Sequence, residues 1–172
     1  MILETPRLRL EPYNMTHLDR LFEINSNPDV MRHIAPVQSR DETRAYIENN
    51  MQRFKRLGHG WWAVIETATG HMVGGVCIQH TAHVETAELE VGWRLHPDAQ
   101  GQGYATEAAI RALDFAFQHL RADYVIAVAA PENAPSHRVM QRIGMQYRGV
   151  EMHYGTDLTT YVIYHDDPRP CV

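Results

Sequence analysis

Two glutamates occupy alternate positions of one short segment and could provide acid–base chemistry. In residues 87–95, apolar side chains alternate strictly with Glu88, Glu90, Gly92 and Arg94, and a period of two predicts a β-strand. The two carboxylates then share one face, roughly 6.5–7 Å apart, where like charges raise each other's pKa and burial raises it further. A carboxylate in such a position could serve as a general base. The alternative is a solvated sheet face with Arg94 as a surface partner.

A loop with two glycines follows this strand and opens a predicted helix. Gly101 and Gly103 allow the backbone to approach a ligand closely, and the free N–H groups of a first helical turn favour an anion. Gly103 is not followed by the Lys-Ser/Thr of a P-loop, and Thr106 stands where a dinucleotide motif has its third glycine. The loop therefore predicts a phosphate or pyrophosphate site, against the alternative of a plain turn.

A second candidate site lies at the start of a later helix. Asn133 is typical of a helix N-cap, with Pro135 tolerated in the first turn. Ser136 shares a face with the apolar residues three, four and seven positions after it. An inward hydroxyl needs a partner, which is either the helix backbone or a bound ligand.

The rest of the chain predicts the elements that position these residues. Alternation and apolar runs predict strands at 7–11, 61–66, 72–80, 84–95 and 124–130, helices at 14–25, 39–57, 102–120 and 133–143, and a closing hairpin at 147–152 and 158–165. A strand, a long helix and a fully apolar strand indicate one parallel crossover. We therefore expect one α+β domain over residues 1–167, built on a mixed, mostly antiparallel sheet, with a tail at 168–172.

Adjacent Trp61 and Trp62 fall on one predicted strand, and neighbouring strand residues point to opposite faces. We expect one indole in the core and the other lining an acceptor pocket or an interface. An exposed sheet edge makes a homodimer plausible.

Composition excludes several classes of protein. The 172 residues carry 16 Lys and Arg against 21 Asp and Glu, a net charge of −5 with no basic run, which disfavours nucleic-acid binding. Two cysteines form no disulfide framework, and the eleven histidines show no metal-ligand spacing. No apolar stretch approaches about 18 residues and the start lacks a signal-peptide pattern. We expect a cytoplasmic protein without a metal or a membrane span.

The segment Gln100-Gly101-Gln102-Gly103-Tyr104-Ala105 resembles the Gln/Arg-x-x-Gly-x-Gly/Ala signature of the GNAT superfamily of N-acetyltransferases. The segment follows an alternating strand and opens a long helix, as in that family. Residues 133–136 and 142–145 stand where the family has its Asn-x-x-Ala/Ser and Lys/Arg-x-Gly-Phe elements. Residues 5–10 are similar to the opening of the branch that includes the ribosomal-protein N-terminal acetyltransferases.

This resemblance covers residues 4–165 and implies acetyl-CoA as the co-substrate, with no metal. It implies a GNAT fold whose sheet is splayed at the acetyl-CoA site, between residues 93–95 and the strand at 124–130. Backbone N–H groups of residues 101–105 would hold the pyrophosphate, and the pantetheine arm would lie near residues 93–95. The residues that the resemblance assigns to acetyl-CoA binding are Trp93, Arg94, Leu95, Gln100, Gly101, Gln102, Gly103, Tyr104, Ala105, Thr106, Asn133 and Ser136.

The implied reaction is direct transfer of the acetyl group to a primary amine, with Glu90 as the base through a water and Ser136 as a second catalytic residue. One position departs from the family, because Met140 stands where many members have the tyrosine that protonates the leaving thiolate. Ser136, a water, Tyr147 or Tyr154 would take that role.

The branch favours a protein N-terminus as the acceptor over small amines such as polyamines or aminoglycosides. Because Met140 replaces the tyrosine, a non-catalytic acyl-CoA-binding module stays open as an alternative, although the Glu88/Glu90 pair counts against it. The third alternative is a nucleotide-binding oxidoreductase, for which this chain lacks the third glycine of the motif.

Overall fold

Eight β-strands form one open sheet in the order β1-β2-β3-β4-β5-β6-β8-β7, flanked by five α-helices. The structure is a computed structural model that describes all 172 residues. The strands are β1 (Leu3–Glu4), β2 (Leu8–Pro12), β3 (Trp61–Glu66), β4 (Met72–His80), β5 (Leu89–Leu95), β6 (Tyr124–Ala129), β7 (Gln146–His153) and β8 (Thr156–Tyr164). The helices are α1 (Leu18–Asn25), α2 (Pro28–Met31), α3 (Arg40–Leu57), α4 (Tyr104–Gln118) and α5 (Ala134–Arg142). No helix is long and apolar enough to cross a membrane.

All neighbouring strands are antiparallel except β5 and β6, which α4 connects in a crossover. The β5–β6 ladder consists of one residue pair, Glu90 opposite Ile126. By contrast, β5 pairs with β4 along the whole length of β5, and β6 pairs with β8 over six residues. The sheet therefore splays beyond Glu90. The predicted α+β fold with a mixed, mostly antiparallel sheet is confirmed.

Apolar residues cover both faces of the central strands. The larger cluster packs α4 against the sheet, with Trp62, Leu113 and Val125 at its centre. The smaller cluster packs α1 and α3 against the opposite face, around Trp61 and Ile47. The central strands therefore have no solvent-exposed face.

This double cover corrects two expectations. Trp61 and Trp62 do point to opposite faces, yet both are buried, because α1 and α3 cover the face that the sequence left open. The alternative interpretation, in which one face of β5 is solvated, is also wrong, since Glu90 and Arg94 are each only 6% exposed. Strand β5 begins at Leu89, and residues 84–88 form a turn instead of the predicted strand.

Helix ends follow local chemistry. The Ser39 hydroxyl accepts from the Glu42 N–H (3.2 Å) and the Glu42 carboxylate accepts from the Ser39 N–H (2.7 Å), so α3 begins with the capping box that the sequence predicts.

The C-terminal tail contacts the domain, because Arg169 pairs with Asp114 of α4 at 3.2 Å. Strand β7 is an edge strand that exposes Val150 and Met152. A homodimer along this edge stays a prediction.

Candidate active site

Glu90 lies on β5 at the point where β5 and β6 diverge. Its Oε1 accepts hydrogen bonds from Gln79 Nε2 (2.7 Å) and from the Tyr154 hydroxyl, and its buried Oε2 has no partner. Burial raises the pKa of the Glu90 carboxyl, and the bonds from Tyr154 and Gln79 oppose that rise. A buried carboxylate of raised pKa with one free oxygen is suited to accept a proton.

Gln79 holds this carboxylate from the neighbouring strand. It stands directly opposite Glu90 in the β4–β5 ladder, and its Oε1 accepts a bond of 3.0 Å from the Trp61 indole N–H. That bond orients the amide so that its NH₂ group faces Glu90. Gln79 was not predicted as a site residue. Its only signal in the sequence is a polar side chain near the end of the apolar run of β4, and the register that pairs it with Glu90 was not predictable.

Tyr154 reaches Glu90 from the turn of the β7–β8 hairpin. The two turn residues, Tyr154 and Gly155, have φ values of 52° and 77°, as a two-residue hairpin turn of type I′ requires. A bulky residue at positive φ is uncommon and tends to mark functional positions. Burial and the nearby Glu90 charge raise the pKa of the Tyr154 phenol, so Tyr154 stays protonated and donates to Glu90.

Glu88 does not act together with Glu90. It precedes β5 and accepts two hydrogen bonds from the Arg148 guanidinium, at 2.6 and 3.0 Å. These bonds lower the pKa of Glu88, while burial raises that of Glu90. The expectation that the two carboxylates raise each other's pKa is therefore wrong, because Arg148 neutralises one of them.

A cleft of about 480 Å³, here called the donor cleft, opens where the sheet splays. Its walls come from the end of β5, the glycine loop, α5 along its length, and residues 29, 30 and 32–34. Eight of the predicted acetyl-CoA-binding residues line it, and these are Trp93, Arg94, Leu95, Gln100, Gly101, Ala105, Asn133 and Ser136. Gln102, Gly103, Tyr104 and Thr106 do not. The Tyr104 side chain is buried and its hydroxyl donates to Glu66.

The glycine loop presents a row of free backbone donors. None of the N–H groups from Gly101 to Thr106 donates a hydrogen bond within the protein, and the first bond of α4 runs from the Glu107 N–H to the Gly103 carbonyl. Gly101 and Gly103 have φ values of 76° and 83°, which L side chains adopt only with strain. Six free N–H groups at a helix N-terminus form a site that fits an anion such as a pyrophosphate.

Two arginines of α5 also line the donor cleft. Arg138 and Arg142 are exposed there and neither takes part in a salt bridge. Their spacing of four places both on one side of the helix. Neither arginine was predicted as a binding residue, because the apolar stripe of the helix gives no sign that a cleft lies beside its other residues.

Ser136 and Asn133 together begin α5. The Asn133 side chain accepts a bond of 3.3 Å from the Ser136 N–H, as the predicted N-cap requires. Ser136 lines the donor cleft, and its hydroxyl makes no bond to the helix backbone. Met140 is 1% exposed in the core and offers no proton there.

Arg94 is buried without a carboxylate partner. Its guanidinium donates to Asn25 Oδ1 (2.8 Å) and to the Tyr46 hydroxyl (2.6 Å), and it lies 4.4 Å from the Trp61 ring centroid. The aromatic face and the two neutral acceptors hold the charge in the interior, so the alternative in which Arg94 is a surface partner is wrong.

A second cleft of about 690 Å³, here called the acceptor cleft, is lined by residues 28–37, residues 130–132 and the hairpin around Tyr154. It shares Arg32, His33 and Ile34 with the donor cleft. Its walls also carry the carboxylates of Glu132 and Asp157. His33 thus lies between the two clefts.

Sequence comparison identifies the family to which this fold belongs. A profile of the acetyltransferase (GNAT) domain matches residues 7–146, and the chain belongs to that family. The uncharacterized N-acetyltransferase YnaD of Bacillus subtilis is 29% identical over 150 residues, covering 87% of this chain and 85% of that protein.

Solved structures show the same fold. A GNAT-family acetyltransferase from Bacillus anthracis has a TM-score of 0.84 at 28% identity, covering 97% of this chain and 100% of that one. RimL, a ribosomal L7/L12 α-N-protein acetyltransferase solved with coenzyme A, has a TM-score of 0.79 at 17% identity, covering 95% and 98%. No group of three or more His, Cys, Asp or Glu side chains is arranged to hold a metal ion.

The raised pKa of Glu90 predicts a pH-dependent effect on stability. A carboxyl whose pKa is higher in the folded chain than its ordinary 4.5 lowers the free energy of unfolding progressively as pH rises through that folded value. We expect the stability of Glu90→Gln relative to wild type to be greater at pH 8 than at pH 5, measured by urea unfolding.

Glu88→Gln is the matched control. The pKa of Glu88 is lowered. The contribution of this carboxylate to the free energy of unfolding is therefore complete above the ordinary value of 4.5 and is lost only below it. Its effect should be the same at pH 5 and pH 8. A stability difference between Glu90→Gln and wild type that does not change with pH would contradict the account.

Proposed function

We propose that this acetyltransferase moves the acetyl group of acetyl-CoA directly to a primary amine. The observation that carries the proposal is the buried Glu90 carboxylate with one unpartnered oxygen. Glu90 lies on the strand whose end lines the donor cleft, and it is bonded to Tyr154, which lines the acceptor cleft. A base in this position can serve an amine that enters opposite the acetyl donor.

The donor cleft suits acetyl-CoA in charge and in backbone chemistry. The N–H groups of Gly101 to Ala105 would bind the pyrophosphate, and Arg138 and Arg142 would contribute two cations to the phosphates. The edge of β5 beyond Glu90 has no ladder partner on β6 and would hold the amide groups of the pantetheine arm. Acetyl-CoA supplies an activated acetyl thioester when bound.

Glu90 would remove the proton that prevents attack by the amine. An ammonium group has no lone pair, so it must be deprotonated first, and Glu90 accepts that proton through a water. A backbone N–H of residues 93–95 supports the charge that develops on the carbonyl oxygen. Direct transfer is favoured over an acyl-cysteine, because Cys77 is fully buried and Cys171 lies in the tail, outside both clefts.

Ser136 is our candidate for the group that protonates the leaving thiolate. It lines the donor cleft with a free hydroxyl, whereas Met140 is buried and apolar. Tyr147 packs on Tyr161 and lines neither cleft, and Tyr154 already donates to Glu90.

A protein N-terminus is the acceptor we favour. An α-amino group, with a pKa near ~8, loses its proton more easily than a lysine near ~10.4. Glu132 and Asp157 would attract the cationic amine into the acceptor cleft.

A panel of acceptor amines tests this preference, with thiol release and product mass as readouts. The panel contains spermidine, an aminoglycoside, peptides with free N-termini, and matched N-blocked peptides that contain lysine. Turnover with none of these amines by a protein that binds acetyl-CoA would favour a non-catalytic binding module.

Tyr154→Phe tests the hydrogen bond that orients the base. Loss of the hydroxyl leaves Glu90 Oε1 with only the bond from Gln79 and lowers the positional order of the carboxylate, so we expect kcat to fall about tenfold. Tyr147→Phe is the matched control on the same hairpin, with an exposed ring, and should leave kcat unchanged. Equal kcat values for the two variants would remove Tyr154 from the mechanism.

A further inference from the structure

Arg7 contacts the glycine loop from outside both clefts. Its Nη1 donates to the Gln102 carbonyl at 3.0 Å, and its guanidinium lies 4.7 Å from the Tyr104 ring centroid. The same side chain donates from Nε to Glu107 Oε2 at 2.7 Å. One arginine therefore joins the chain N-terminus to the loop and to the first turn of α4.

Glu107 is the anchor of this contact. It is 7% exposed and also accepts from the Thr5 hydroxyl (2.6 Å) and from the Arg7 backbone N–H (3.1 Å). The bonds from Thr5 and Arg7 lower the pKa of this carboxyl in spite of its burial, so it stays charged and fixes the guanidinium. Arg7 has little freedom to turn away from Gln102.

The bond to the Gln102 carbonyl orients a donor of the loop. The carbonyl of Gln102 and the N–H of Gly103 belong to one planar trans peptide and point in opposite directions. A guanidinium that holds the carbonyl on one side therefore keeps the Gly103 N–H directed to the other side, away from Arg7. Gly103, at positive φ on one side of this peptide, has no side chain to restrict its rotation when such a contact is absent.

We propose that Arg7 is a positioning residue for acetyl-CoA, which sets the orientation of the Gln102–Gly103 peptide and so preorganises the pyrophosphate loop. This inference rests on the proposed function, because it requires a phosphate group of the donor at the loop. Arginine is needed for its geometry, since its planar fork can bind Glu107 and the Gln102 carbonyl at once while it stacks on Tyr104. A lysine keeps the charge but cannot make all three contacts.

The test is calorimetric titration of wild type, Arg7→Ala, Arg7→Lys and Arg9→Ala with acetyl-CoA. Arg9 is the matched control, because its side chain is 47% exposed against 48% for Arg7 and it is also salt-bridged, to Glu11. We expect both Arg7 variants to bind acetyl-CoA about tenfold more weakly and Arg9→Ala to bind within about twofold of wild type. KM for acetyl-CoA should rise in parallel, with kcat and KM for the amine unchanged.

Each result bears on the proposal. If Arg7→Lys binds acetyl-CoA like wild type while Arg7→Ala binds it more weakly, charge alone matters, and the positioning role is overturned. Arg7→Ala that binds like Arg9→Ala would also overturn it. Failure of folded wild type to bind any CoA species would instead reject the proposed function. If Arg7→Ala does not fold, Arg7→Lys decides.

Discussion

Glu90→Gln is expected to lower kcat by about 10²–10³-fold, within the roughly 10²–10⁴-fold that a positioned general base typically contributes. Glutamine keeps a carbonyl oxygen for the bonds from Gln79 and Tyr154, so the surroundings of residue 90 are preserved while the proton acceptor is lost. In wild type, log kcat should rise with pH through the raised pKa of Glu90, since only the carboxylate accepts a proton. That limb of the profile should disappear in Glu90→Gln.

Glu88→Gln separates this role from a general effect of charge. Glu88 is two residues away and is neutralised by Arg148, so its replacement should change kcat less than about twofold. Steady-state rates at saturating donor and amine, measured from pH 5 to pH 9, provide the comparison. A Glu90→Gln variant that keeps the wild-type rate and profile would show that another group is the base.

Gly101→Val is expected to weaken acetyl-CoA binding by about 100-fold. Gly101 has a φ of 76°, and a β-branched side chain at positive φ forces the backbone to another conformation. The N–H groups of the loop would then no longer converge on one anion. Loss of two charge-assisted hydrogen bonds accounts for an effect of this size. Calorimetric titration measures it.

Gly70→Val is the matched control for backbone strain. Gly70 has a φ of 72° in the turn between β3 and β4, and a side chain at either glycine meets no atom within 4 Å. Both variants therefore carry the same conformational penalty, and only Gly101→Val should lose affinity for acetyl-CoA. Equal affinities in the two variants would mean that the loop is a plain turn.

The elements that position the site followed from local sequence signals. The capping box at Ser39, the N-cap at Asn133 and the alternation of β5 depend on neighbours within a few residues. The crossover of β5, α4 and β6 followed from one long helix between two strands. The donor cleft could be located in this way, because it lies at the end of β5 and beside the loop that follows it.

The surroundings of Glu90 depend on contacts between distant parts of the chain. Gln79, Tyr154 and Arg148 come from two other strands and a hairpin turn, and their side-chain contacts depend on strand register and sheet twist. The burial of Arg94 depends on how α1 and α3 fold over β5. Such long-range contacts leave no periodic mark on the sequence, so the pairing of Glu88 with Arg148 replaced the expected interaction between carboxylates.

Calorimetric titration of wild type with acetyl-CoA, beside CoA and NADH, tests the central claim most directly. The account predicts micromolar binding of acetyl-CoA and CoA and no binding of NADH, because the loop lacks the third glycine of a dinucleotide site. Absence of binding by every CoA species to folded protein would contradict it, and the glycine loop would then be only a turn between a strand and a helix.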